Sequence, residues 1–292
     1  MQDSRYGPLI ESVTAWASEE TEVRAAMVVG SQARSTSPAD EWSDLDLALF
    51  VKDPGKLLGS DRWVDRFGSV VLTFVEATAV GSSQERRVLY SNGLDVDFAV
   101  FPAAAIHGLV QAGDALETLR RGYRILLDKD GTLGLIPSAL SSLPPRTDSQ
   151  PRPAEFGEVV GEFWYHVLWT ARKVRRGEIW AAKAGCDSRL KRLLLRVLQW
   201  RVLLESGGRT DVWHDGRFID EWAPADVKNR LAASFAEYSL PDVVRALRET
   251  SDLFADQARR VAAISRIPYP EEIESKVRAL TDHVLKGLDS SI

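Results

Sequence analysis

Residues 137–153 read PSALSSLPPRTDSQPRP, and five of these 17 residues are proline. Proline has no amide proton to give a helix or a central strand, and its ring clashes with the preceding turn. A long regular element therefore cannot run through this stretch, and the chain has to fold as two segments, one on either side of it. We read residues 137–153 as a linker. The 292 residues, 45% of them hydrophobic, are enough to build two domains of ordinary size.

Before the linker, strand and helix patterns alternate. Residues 8–19 suit an opening helix, and RAAMVV (24–29) suits a buried strand. DLDLALFV (44–51), VVLTFVE (70–76) and YRILLD (123–128) are further strands, with helical stretches near 57–66 and 103–120. RVLYSNGLDVDFAVF (87–101) reads as a hairpin turned at Asn92-Gly93. After the linker only helical spacing is present, first over Phe156, Val159, Val160, Phe163 and Val167. A second helix is expected to start near Asp187 as its N-cap, with others over 224–236, over 240–265 and after PYPEE. The fold class is an α/β domain at 1–136 followed by an all-helical domain at 154–292.

Within DLDLALFV, Asp44 and Asp46 point to one face and Leu45, Leu47 and Leu49 to the other. Two aspartates a residue apart on a strand lie roughly 6.6 Å apart. Their repulsion is about 2–3 kcal/mol at an effective dielectric of about 20. A wet face at the start of an edge strand would tolerate that. Two other features argue for chemistry. VVGS (28–31) runs a buried strand into Gly30-Ser31, a turn whose amides and hydroxyl can cradle a phosphate. LDVDFAVF (94–101) places another carboxylate, Asp97, in an apolar strand. A third carboxylate beside two others needs a cation, and Mg²⁺ takes carboxylates together with substrate phosphates.

A Gly-Ser turn, a D-x-D pair thirteen residues after Ser31 and a lone Asp on a later strand resemble the nucleotidyltransferase superfamily that includes DNA polymerase beta. GSQARSTSPADEWSDLDLALFV, LDVDFAVFP, RILLDKDG, RRGEIWAA, LLLRVLQW and RIPYPEE occur in that order. In this arrangement the chain resembles the aminoglycoside 6-adenylyltransferase, or streptomycin adenylyltransferase, family over nearly its whole length. It departs from that family's pattern at Gln32, Arg34 and Asp95, where Arg, Asn and a basic residue are usual.

The resemblance implies a nucleotidyltransferase domain with a mixed sheet and a helical substrate-binding domain. It implies transfer of AMP from ATP to a hydroxyl of a streptomycin-like aminoglycoside, with release of pyrophosphate and resistance to the antibiotic. Asp44 and Asp46 would hold two Mg²⁺ ions on the triphosphate, and Asp97 would complete the second metal site or take the hydroxyl proton. Gly30 and Ser31 would bind the phosphate tail, with Arg34 a further phosphate contact. Such acceptors are cationic, so carboxylates on the helical domain are candidate partners. Glu155, Glu158 and Glu162 fall on one polar stripe, and Glu158 and Glu162 are the candidate substrate residues.

Other features narrow the function. Residues 172–201 carry ten basic residues against two acidic ones, a solvated face, a triphosphate clamp or a nucleic-acid patch. The net charge of −5 argues against nucleic acid as the partner. The four histidines show no metal spacing, His166 reads as a packing residue, and Trp213 is a candidate for a ligand cleft. No apolar run approaches a membrane span, no secretory leader is evident, and one cysteine excludes a disulfide framework, so a cytoplasmic enzyme is expected. The alternatives are nucleotidyl transfer to another small molecule, a protein or a tRNA end, and a catalytically silent nucleotide-binding protein. The residues leave open the acceptor hydroxyl, the donor base and the oligomeric state.

Overall fold

The computed structural model describes residues 5–34, 39–78, 83–109, 113–143, 150–212 and 215–287. The chain divides into two compact units, Met1–Leu143 and Pro144–Ile292. Among the described residues no helix is long and apolar enough to cross a membrane.

The first unit opens with helix α1 (Gly7–Glu19), then strand β1 (Val23–Val29), a 3₁₀ turn (Gly30–Ala33) and β2 (Leu45–Val51). Helix α2 (Pro54–Leu58) leads to the antiparallel run β3 (Val70–Ala77), β4 (Gln84–Tyr90) and β5 (Asp95–Pro102). Helices α3 (Ala105–Leu109) and α4 (Gly113–Arg121), strand β6 (Arg124–Asp128) and helix α5 (Ile136–Ser142) complete it. The strands form one mixed sheet in the order β3-β4-β5-β2-β1-β6. β2 and β5 run parallel, and the other neighbours run antiparallel.

β2 is thus a central strand, so the edge-strand explanation of its aspartates fails. Its leucines Leu45, Leu47 and Leu49 pack with Val96, Phe98 and Val100 of β5 and with Leu9, Ile10, Val13 and Trp16 of α1. The spacing of those α1 residues is a helical stripe. Trp16 stacks on Trp63 with centroids 5.1 Å apart. On the other face Ala48 and Phe50 join Ala25, Met27, Ile106, Leu119, Leu133 and Ile136. A fully buried Leu or Phe contributes about 1.5–3 kcal/mol, so β2 is anchored from both faces along most of its length. Only its start, at Asp44 to Asp46, is left polar.

The second unit holds α6 (Pro153–Arg175), α7 (Ile179–Ala184), a π-helical turn (Gly185–Leu190), α8 (Lys191–Ser206), α9 (Ile219–Trp222), α10 (Ala225–Leu231), α11 (Leu240–Ser265) and α12 (Glu271–Leu285). Phe156, Val160, Phe163 and Val167 of α6 meet Leu194, Val197 and Leu198 of α8 and Phe254 of α11. Phe163 and Phe254 lie face to face at 3.5 Å.

Three expectations differ from the structure. In place of a helix near 57–66 there are the short α2 and a 3₁₀ turn at Val64–Phe67. Asp187 does not cap a helix. It sits inside the π-helical turn that joins α7 to α8, where its carboxylate takes Lys183 at 2.6 Å and the Ala236 amide at 3.2 Å. The proline-rich stretch is also not irregular throughout, since α5 runs through Ser142. Pro137 is tolerated because it lies in the first turn of α5, where no intrahelical amide bond is required. Residues 144–149, and Trp213 with His214, lie outside the described residues.

Candidate active site

The chain leaves β1 into a turn that glycine alone permits. Gly30 has φ +68°, and a Cβ on it would stand 1.9 Å from Asp46 Oδ2. The absent side chain is what lets the Asp46 carboxylate lie against the turn. Gly122, between α4 and β6, supports the turn from another side. A Cβ there would come within 2.3 Å of the Ala33 carbonyl oxygen and 2.9 Å of Arg34 Cα. Two buried donors at the turn have no hydrogen-bond partner among the described residues: the Ser31 hydroxyl and the Arg34 Nε. A buried donor left unpaired costs about 1–3 kcal/mol. A phosphate oxygen would satisfy both.

Asp44 stands immediately before β2, and Gln32 Nε2 donates to its carbonyl oxygen at 3.3 Å. Tyr6 ties the starts of β2 and β5 together. Its hydroxyl donates to the Ser43 carbonyl at 3.0 Å and accepts from the Asp95 amide at 3.3 Å. Parallel pairing then sets Asp46 directly beside Asp97. The outcome is a cluster of Asp44, Asp46 and Asp97, each offering a carboxylate oxygen within 4.8 Å of the others.

Asp44 and Asp46 are half-buried, and Asp97 is only 4% exposed. Burial raises the Asp46 carboxyl most, Asp44 and Glu85 add to it, Arg34 and Arg87 oppose it, and the group reaches about 7. Asp97 also reaches about 7. Burial is again the largest cause, Arg87 opposes it, and Asp46, Glu85 and Asp44 raise it further. Two full charges within 4.8 Å of each other would repel by about 3 kcal/mol or more at an effective dielectric of about 20. A divalent cation removes that repulsion. The fit to a cation is specific at Asp97, whose Oδ2 is held by Arg87 at 2.8 Å while its buried Oδ1 has no hydrogen-bond partner.

The structure therefore brings together Gly30, Ser31, Arg34, Asp44, Asp46 and Asp97. Asp95, two residues before Asp97, is exposed and stands apart from the cluster. Its carboxyl is raised by burial and by Asp44. Glu158 and Glu162 lie on α6 in the second unit. Arg189 takes Glu162 at 2.7 Å and Arg196 takes Glu155 at 2.6 Å, whereas Glu158 is exposed. The basic stretch is largely paired within its own unit: Lys173 and Arg176 to Glu178, Lys183 to Asp187, Arg201 to Asp226. That pairing favours the reading as a structural and solvated face. His166 Nδ1 lies 2.8 Å from the Glu162 carbonyl within its own helix, as a packing residue would. Arg87, Glu85 and Gly122 are members of the site that local sequence patterns do not mark.

The sequence model of the streptomycin adenylyltransferase family matches residues 5–284. The chain is 23% identical over 263 residues to the aminoglycoside 6-adenylyltransferase of Campylobacter jejuni, with 87% of each chain covered. It is 22% identical over 288 residues to that of Staphylococcus aureus, covering 92% of this chain and 96% of the relative. The crystal structure of an aminoglycoside 6-adenyltransferase from Bacillus subtilis aligns over 96% of this chain and 99% of that chain, at 16% identity and a TM-score of 0.47.

Proposed function

From the premise that the chain belongs to the streptomycin adenylyltransferase family, we propose that it transfers AMP from ATP to a hydroxyl of an aminoglycoside, so inactivating the antibiotic. The acceptor oxygen attacks the α-phosphorus, the bond from that phosphorus to the β-phosphate bridging oxygen breaks, and pyrophosphate leaves. The observation that carries this reading is the convergence of three carboxylates beside two unsatisfied phosphate donors.

Each residue has a role in the proposal. Ser31 and Arg34 hold the triphosphate through a hydroxyl and a guanidinium, with the Gly30 backbone approaching it closely. Asp44 and Asp46 would bind two Mg²⁺ ions, with Asp97 Oδ1 as a further ligand or as the acceptor of the hydroxyl proton. Bound Mg²⁺ supplies charge neutralisation at the triphosphate and at the attacking oxygen. Glu158, exposed on α6, and Glu162 are the candidate partners for cationic groups of the acceptor. A cytoplasmic setting, where ATP is available, is part of the same reading.

The test is pyrophosphate release from Mg²⁺-ATP by purified protein across a panel of aminoglycosides, with Asp44→Ala as control. Adenylylated product with streptomycin-like acceptors, lost in the variant, supports the reading. Release with none of the panel, while another hydroxyl acceptor or a tRNA supports turnover, would reassign the acceptor. ATP binding without turnover on any acceptor would favour a silent nucleotide-binding protein.

A further inference from the structure

Arg87 lies on β4 directly opposite Asp97 of β5. One end of its guanidinium takes Asp97 Oδ2 at 2.8 Å. Its Nε faces Glu76 of β3 at 2.6 Å and Glu85 at 3.4 Å. A row of charge thus crosses three strands, from Glu76 through Arg87 to Asp97. The consequence at Asp97 is asymmetric. One carboxylate oxygen is occupied, and the other is buried with no hydrogen-bond partner among the described residues, on a residue that clusters with Asp44 and Asp46.

We propose that Arg87 is a positioning residue for the transfer reaction, holding Asp97 so that one defined oxygen faces Asp44 and Asp46. The proposal rests on the reading of Asp44, Asp46 and Asp97 as the reaction centre. An aspartate on a strand has a broad, roughly two-fold terminal torsion. Without a partner on Oδ2, rotation about that torsion would exchange the two oxygens of Asp97. Arg87 opposes that rotation with a charge-assisted bond, and Glu76 and Glu85 fix the guanidinium from behind. A planar fork suits this better than an ammonium, which is one compact charge. Arg87 touches no reacting atom in this scheme and acts only through Asp97.

A double-mutant cycle tests it. Arg87→Gln should lower kcat by about tenfold or more with the Michaelis constant for ATP changed less than about threefold, and Arg87→Lys should recover part of the loss. In an Asp97→Asn background, Arg87→Gln should add little further loss, since its route to the reaction is already removed. A readout without turnover accompanies it. In metal-free protein, Arg87→Gln should lower the melting temperature when Asp97 is present, and lower it clearly less in Asp97→Asn. Should Arg87→Gln fail to fold, the Arg87→Lys arm decides: a kcat loss with unchanged ATP Michaelis constant supports the proposal. Independent, additive losses from Arg87 and Asp97, or an effect of Arg87 on the ATP Michaelis constant alone, would overturn it. The reaction-centre reading fails separately: Asp44→Ala and Asp97→Asn would then retain wild-type turnover, and the proposal would fall with it.

Discussion

Gly30 and Gly131 both have φ +68°, in the region that favours glycine, and differ in what surrounds them. A Cβ on Gly131 would meet nothing within 4 Å, whereas a Cβ on Gly30 would fall 1.9 Å from Asp46 Oδ2. Alanine in the left-handed region costs about 1–2 kcal/mol. Gly131→Ala should show that loss alone, as a shift of a few degrees in melting temperature, with kcat/KM unchanged. Gly30→Ala carries the same backbone cost and a second effect. Real Cβ contacts essentially never fall under 3.0 Å, so the Asp46 carboxylate must retreat by about 1 Å or more, or the turn must open. A displacement of about 1 Å in a reacting constellation can cost about 10²-fold in rate. We therefore expect Gly30→Ala to lose about 10²-fold in kcat/KM at a stability cost similar to that of Gly131→Ala. The measurements are urea unfolding and steady-state pyrophosphate release on both variants. Gly30→Ala keeping more than about half of wild-type kcat/KM would refute the argument, and so would an equal loss of activity in Gly131→Ala.

Other perturbations separate the roles of the carboxylates. The folded-state values of about 7 at Asp46 and Asp97 lie above the unfolded value of about 3.9. The stability tied to these groups is therefore fully present below about pH 4 and is lost as pH rises through about 7. Metal-free protein should accordingly unfold at lower urea at pH 8 than at pH 6, Mg²⁺ should restore the pH 8 value, and Asp46→Asn should flatten the profile. An unchanged profile in Asp46→Asn would sink this account. Asp97→Asn should lower turnover by about 10²–10⁴-fold with ATP binding retained, and a variant keeping more than about a third of the rate would move attention to Asp95. Glu158→Gln should raise the acceptor's Michaelis constant and leave that of ATP unchanged, and identical acceptor kinetics would return Glu158 to a solvated face.

Element type was readable from the chain because it depends on contacts within a few residues. The alternation of Leu45, Leu47 and Leu49, the stripe of α1 and the helical spacing of α6 and α11 each appear where local periodicity puts them. The same locality explains the misreadings. Asp187 has an N-cap's composition, but a π-helical turn carries the helix past it. The prolines at 137 and 153 read as breaks, and each instead lies in the first turn of a helix.

By itself the sequence marked the candidate residues: the Gly30-Ser31 turn, the Asp44 and Asp46 pair, and Asp97 are separable as motifs with a family resemblance. Only the tertiary structure decided how they meet. The order β3-β4-β5-β2-β1-β6 places β2 in the centre and lays Asp46 beside Asp97, on strands that β3 and β4 separate along the chain. It also brings Arg87 opposite Asp97 and Gly122 against the Gly-Ser turn. No short-range pattern in QERRVLY or RRGYR marks these residues, because strand pairing and register are contacts between distant segments. Their energy comes from burying both faces of β2 at once, and that exists only after the sheet has closed around it.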